Sequence, residues 1–167
     1  MSDATATMER TALVAKVEDG RARLEAAVAS VPLSRLEEPG LAGGWSVKDV
    51  LAHVAFWEEA LLAQLDAAAG GPPAPSPDED FHAVNARVQA EHRGRPLGEV
   101  RQWADRTHRS LVTRLRDLPT RVLESPPPGS ADPAPLWQSV PGATFEHYPE
   151  HVEAITGWLA GRSASAA

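Results

Sequence analysis

Apolar side chains spaced three and four residues apart constrain the fold of this chain more than any other feature. Val47, Val50, Leu51, Val54, Trp57, Leu61 and Leu65 form one such series. A helix turns once every 3.6 residues, so these side chains share a face that must be buried against another element. The same period runs through Leu13, Val17, Leu24, Val28 and Val31, with Glu18, Arg21 and Glu25 turned outward. It returns in Val100, Trp103, Ala104, Thr107, Leu111, Leu115 and Leu118. No segment shows the two-residue alternation of a strand. The pattern predicts long helices over about 7–30, 47–68 and 97–118, and a final one in the stretch from Thr144 to Leu159. A shorter helix over about 78–92 carries Phe81, Val84 and Val88 on one side. Four long amphipathic helices predict an all-α four-helix bundle, with a short extra helix and long proline-rich connections.

Local signals mark the boundaries. Pro32 and Pro119 end helices because proline cannot continue the hydrogen-bond ladder. The run 34–44 is a connector closed by Pro39-Gly40 and Gly43-Gly44. Ser46 suits an N-cap, with Asp49 in the first turn where the helix dipole favours negative charge. Residues 70–77 form a stiff surface loop, and 125–141, with six prolines, an irregular crossover holding Leu136 and Trp137 against the bundle. A connection of that length without secondary structure is often placed over a functional site.

At 167 residues the chain is read as one domain, 1–167, frayed at 1–6 and 162–167. The absence of cysteine excludes disulfides, thiolate metal sites and cysteine nucleophiles. A formal charge of -7 favours neither nucleic acid nor an anionic membrane as partner. No apolar run reaches the roughly 18 residues of a membrane span, and the N-terminus lacks a signal-peptide layout, so the cytoplasm is the expected location.

The chemistry centres on histidine. His147 and His151 stand four residues apart, so on a helix both rings can point at one atom, as in helical zinc motifs. Pro149 between them cannot donate to the ladder, so the helix either begins near Tyr148 or starts near Thr144 and kinks. His53 lies beside the stripe of the second helix; by spacing alone it reads as a core histidine bonded to a carbonyl or carboxylate. His82 and His92 read as surface or locally hydrogen-bonded groups, and His108 adjoins the stripe of its own helix. Trp57, one turn beyond His53, could wall a pocket or belong to the core. Glu150 reads as a solvated helix-start acid or an orienter of imidazole, with Glu146 on another face. Asp49 caps or orients His53, and Tyr148 packs or donates a proton. No nucleophile–base triad, phosphate loop or aromatic-plus-basic groove is present.

The run Gly43-Gly44-Trp45-Ser46-Val47-Lys48-Asp49-Val50-Leu51-Ala52-His53-Val54 resembles the second-helix signature of the DinB/YfiT-like superfamily of metalloenzymes, and more narrowly its ClbS/DfsB branch. Phe145-Glu146-His147-Tyr148-Pro149-Glu150-His151 is similar to that superfamily's last-helix signature, and residues 85–100 resemble the ClbS/DfsB pattern. The resemblance implies that His53, His147 and His151 bind a divalent metal, zinc or nickel; it assigns no catalytic acid or base. Three neutral imidazoles leave a coordination position open, as catalytic metal sites do. Activity on a small electrophile would follow, as a hydrolase using metal-activated water or a transferase using a metal-bound low-molecular-weight thiol as cosubstrate. The branch also implies an alternative, a metal-independent protective protein that hydrolyses or sequesters a reactive small molecule. A third reading is a non-catalytic dimeric binding module. The expected partners are a small-molecule substrate and a second copy of the chain, with no nucleic acid and no membrane.

Overall fold

The computed structural model describes residues 9–75 and 80–161, and among these every regular element is helical. The long helices are α1 (Arg10–Ala29), α2 (Val47–Ala68) and α4 (Leu97–Asp117), and α7 (Tyr148–Leu159) completes the bundle. The extra helix α3 (Phe81–His92) covers one side of α2, and two short turns, α5 (Thr120–Leu123) and α6 (Ser139–Ala143), lie between α4 and α7. The starts expected near residues 7 and 78, and the frayed ends, lie outside the described residues.

The fourth bundle helix, α7, is shorter than expected, at 12 residues no longer than α3. The four bundle helices form a ring in which α1 packs on α7 and α4, and α2 packs on α4 and α7. α1 and α2 therefore face each other across the bundle axis. The packing is uneven: α2 lies extensively on α4, and α7 on α1, whereas α2 meets α7 over a short seam. No helix among the described residues is long and apolar enough to cross a membrane.

The beginning of α2 follows from its sequence. Ser46 Oγ accepts from the Asp49 backbone N–H at 3.2 Å, and the Asp49 carboxylate accepts from the Ser46 N–H at 2.8 Å. This reciprocal box satisfies two N–H groups that the helix cannot pair itself, and it settles Asp49 as a cap rather than an orienter of His53. The chain reaches that cap through Gly43 and Gly44, both at positive φ (69° and 73°), a conformation that a Cβ disfavours.

The predicted stripes are buried at Leu13, Val17, Leu24, Val28, Val50, Val54, Leu61, Leu111 and Leu115, while Trp57 and Trp103 are half-buried. Three expectations need correction. Arg21 does not point outward: it is 2% exposed and lies in the bundle core. Phe81 does not join the inner face of α3 but is exposed, its ring tilted over Trp57 at 5.4 Å. The crossover is less irregular than its prolines suggested. Just before it, Pro119 stops α4 and then occupies the cap of α5, where its missing N–H costs nothing. The apolar anchors Leu136 and Val140 pull their surroundings into helical turns against the bundle.

The apolar core falls into two clusters. One contains Leu13, Val17, Leu61, Leu65 and Leu115; the other contains Leu24, Val28, Val47, Leu51, Val54 and Ile155. On α1 and α2 they are separated at the level of Arg21 and Glu58, two charged side chains that are almost wholly buried.

Candidate metal centre

His53 is delivered by the N-terminal third of α2, two turns after its cap. His147 and His151 come from the start of α7, whose geometry is unusual. The helix begins at Tyr148, the first of the two starts that Pro149 allowed, and Pro149 falls in the first turn, where no backbone donor is required. His147 precedes the helix, yet its backbone is already α-like (φ -89°, ψ -42°). The turn leading in is fixed by buried Thr144, whose carbonyl accepts from the N–H groups of His147 (2.8 Å) and Tyr148 (2.9 Å). The Thr144 hydroxyl donates to the Val140 carbonyl at 2.6 Å. The two imidazoles thus keep the one-turn relation expected of an i, i+4 pair.

The structure brings all three predicted histidines together. His147 Nε2 lies 2.8 Å from His53 Nε2 and 2.9 Å from His151 Nε2. His53 is 5% exposed, His151 9%, and His147 is half-buried. Burial first, then the mutual repulsion of the rings, pushes His53 down to about 3 and His151 to about 4; burial also lowers His147. All three imidazoles are therefore neutral at pH 7, the form that ligates metal.

This donor set fits a cation better than it fits itself. A neutral imidazole carries one N–H and one in-plane lone pair. His147 Nε2 cannot satisfy two neighbouring nitrogens with a single proton or a single lone pair. Nδ1 of His53 and Nδ1 of His147 are buried without a hydrogen bond of ordinary geometry; the Asn85 side chain near His53 and the Ala143 carbonyl near His147 are the nearby acceptors that favour a proton on these rings. With the proton of each ring on Nδ1, three Nε2 lone pairs converge on one point, an arrangement that only an electrophile relieves. Among the described residues, these three form the group of His, Asp and Glu side chains with ligand atoms close enough to share an ion.

A cavity of about 570 Å³ opens onto the cluster. Trp45 and Trp57 flank His53, with ring centroids 5.2 and 6.5 Å from its ring. Trp57 is held by its indole N–H, which donates to Asn85 Oδ1 at 3.0 Å, so it walls the pocket rather than filling the core. Phe81 sits at the lip, and Leu41, Val50 and Ala154 add apolar surface. Asn85 and the exposed Glu150 are the polar lining groups besides the histidines, and no described Lys or Arg lines the cavity. Glu146 is exposed and outside the lining. Trp45, Phe81 and Asn85 were not singled out as site residues from the sequence. Phe81 and Asn85 stand four apart on α3, and that spacing is the signal that could have paired them.

The other histidines lie elsewhere. His82 is exposed, and His92 stacks on Trp103 at 4.6 Å. His108 Nδ1 lies 3.1 Å from Glu58 Oε1 in the bundle core. Tyr148 is buried with its hydroxyl donating to the same oxygen, so it is committed to Glu58 rather than to the cavity.

The sequence profile described as the DinB superfamily matches residues 16–154. No curated protein matches the chain. Among solved structures, an uncharacterised protein from Escherichia coli UTI89 is similar with a TM-score of 0.78 at 12% identity, over 94% of this chain and 96% of that one. A mycothiol-dependent maleylpyruvate isomerase is similar with a TM-score of 0.74 at 14% identity, over 89% of this chain and 61% of the isomerase. This chain thus spans about three-fifths of the isomerase's length, and at such identities both likenesses are of fold.

Proposed function

The chain belongs to the DinB superfamily, and we propose that it is a metal-dependent enzyme in which His53, His147 and His151 hold a divalent ion, zinc or nickel, and act on a small electrophile. The observation carrying this reading is the convergence of three neutral imidazole nitrogens, two on buried rings and one on the half-buried His147, in the lining of a cavity. A bound ion of this kind supplies Lewis acidity and lowers the pKa of a water or a thiol beside it. The protein's contribution is orientation and exclusion of water. Trp45 and Trp57 give the floor apolar walls, which strengthen electrostatic effects at the histidines. The Asn85 amide, fixed against Trp57, supplies a polar contact at the wall. Lined by aromatic and aliphatic groups without a described cation, the cavity suits an uncharged substrate with an apolar body better than a polyanion.

The reaction would be either hydrolysis or transfer of a low-molecular-weight thiol. The second arm draws on the fold shared with a mycothiol-dependent enzyme, and a thiol as cosubstrate is part of the proposal. The test begins with elemental analysis of tag-free protein and of His53→Ala, His147→Ala and His151→Ala. Wild type should hold about one zinc or nickel per chain, and each variant should lose affinity by more than the 10–100-fold typical of groups behind the ligands. Turnover of neutral electrophiles with and without added thiol then separates the two arms. Folded wild-type protein that takes up no metal on reconstitution would sink the proposal and leave a metal-independent protective or sequestering protein.

A further inference from the structure

Five residues after His53, α2 places Glu58 at the meeting point of all four bundle helices, with 0% exposure. Arg21 of α1 donates from Nη1 to both carboxylate oxygens, at 3.3 and 3.2 Å. His108 of α4 donates from Nδ1 to Oε1 at 3.1 Å, and the Tyr148 hydroxyl of α7 donates to the same oxygen. Burial and the adjacent carboxylate push the Tyr148 phenol above its ordinary value, so it keeps the proton it donates. Stability alone does not account for this node, because well-packed apolar side chains commonly serve a core as well as a buried ion pair does.

Its placement suggests another role. The bond from Glu58 to Tyr148 joins α2 to α7, the two helices that also supply the three histidines. These helices meet over only a short seam. Tyr148 directly follows His147, and the turn before it carries no side-chain cap. A shift of Tyr148 therefore moves His147 and His151 relative to His53. The approach of this turn to α1 depends on Gly20, where a Cβ would lie 2.9 Å from Tyr148 Cδ2 and 3.1 Å from Phe145 Cβ. We infer that Glu58 and Tyr148 are positioning residues: their buried bond sets the α2–α7 seam and thereby the spacing of the three imidazoles. The inference rests on the metal-binding reading above.

The test uses cobalt(II) on the full chain, with its visible spectrum reporting ligand geometry and chelator competition reporting Kd. Tyr148→Phe removes only the hydroxyl. His108→Phe removes the other single-bond partner of Glu58 Oε1, from a helix that carries no ligand. Both should lower the melting temperature of the metal-free protein. Tyr148→Phe alone should weaken cobalt binding, by about 10-fold or more, and change the visible bands; Glu58→Gln should move both in the same direction and decides the matter if Tyr148→Phe does not fold. Wild-type cobalt affinity and spectrum in the Tyr148 and Glu58 variants, however low their melting temperatures, would overturn the inference, as would an equal loss in His108→Phe. Absence of cobalt binding by folded wild type would overturn the metal reading and this inference together, whereas binding that the variants leave unchanged removes only the inference.

Discussion

Two polar clusters lie five residues apart on α2, and both connect that helix to the start of α7. Around Glu58, every carboxylate oxygen is bonded and the group is sealed from solvent. Around His53, nitrogen lone pairs crowd one point, two Nδ1 atoms lack a hydrogen bond of ordinary geometry, and a cavity opens beside them. A satisfied buried network specifies an arrangement of helices, whereas an unsatisfied one beside a cavity is poised for a ligand. On the function proposed above, the neighbouring clusters divide the work between holding the frame and meeting the chemistry.

The largest effect should come from breaking the sealed cluster. Glu58→Ala leaves buried Arg21 with only the exposed carboxylates of Glu25 and Asp105 as partners and should cost about 3–5 kcal/mol in urea denaturation of the metal-free protein. His53→Ala should cost clearly less, because it relieves a crowded donor set; an equal loss would erase the distinction between the clusters.

Acid should act next, through the histidine cluster. His53 and His151 titrate near 3 and 4 in the folded chain against 6.5 in the unfolded one. Below 6.5 the unfolded state takes up protons that the folded state refuses, so stability is lost as the pH falls from about 6.5 toward 4. Urea midpoints across that range should fall in wild type, and much less steeply in a His53→Phe/His147→Phe/His151→Phe variant. An unchanged slope would assign acid sensitivity to carboxylates instead. The smallest effect is expected at the seam: Gly20→Ala gains up to about 1 kcal/mol of helix propensity but crowds Tyr148 and Phe145, an overpacking cost of about 1–3 kcal/mol. A modest net loss in the thermal midpoint should result, and a stabilised variant would show that this approach is loose.

Much of the frame was legible. The spacing of Leu13, Val17, Leu24 and Val28 and that of Val47 through Leu65 predicted the faces that are buried, because helical period and burial are local properties of a stripe. Ser46 and Asp49 predicted their own cap for the same reason, and the His147/His151 spacing survives even though the helix starts only at Tyr148. Arg21 was misplaced because charge was weighed above position. Val14, Val17, Arg21, Leu24 and Val28 form one row of alternating threes and fours, as do Leu51, Val54, Glu58, Leu61 and Leu65. Each row carries a charge at one core position, a signal that was present and unread.

The sequence by itself determined the helices, their caps and stops, and the imidazole pair at the start of α7, since each depends on residues within a turn or two of one another. Only the tertiary structure decided that α1 faces α2 across the axis, so that Arg21 meets Glu58. It also decided that His53 joins a pair 94 residues away and that Trp57 and Asn85 close one wall of a cavity. The physical reason is that desolvation and hydrogen-bond satisfaction depend on what the other helices bring to the same point. Whether a buried histidine is a satisfied core residue or a free ligand is thus a property of the packed bundle, not of any single helix.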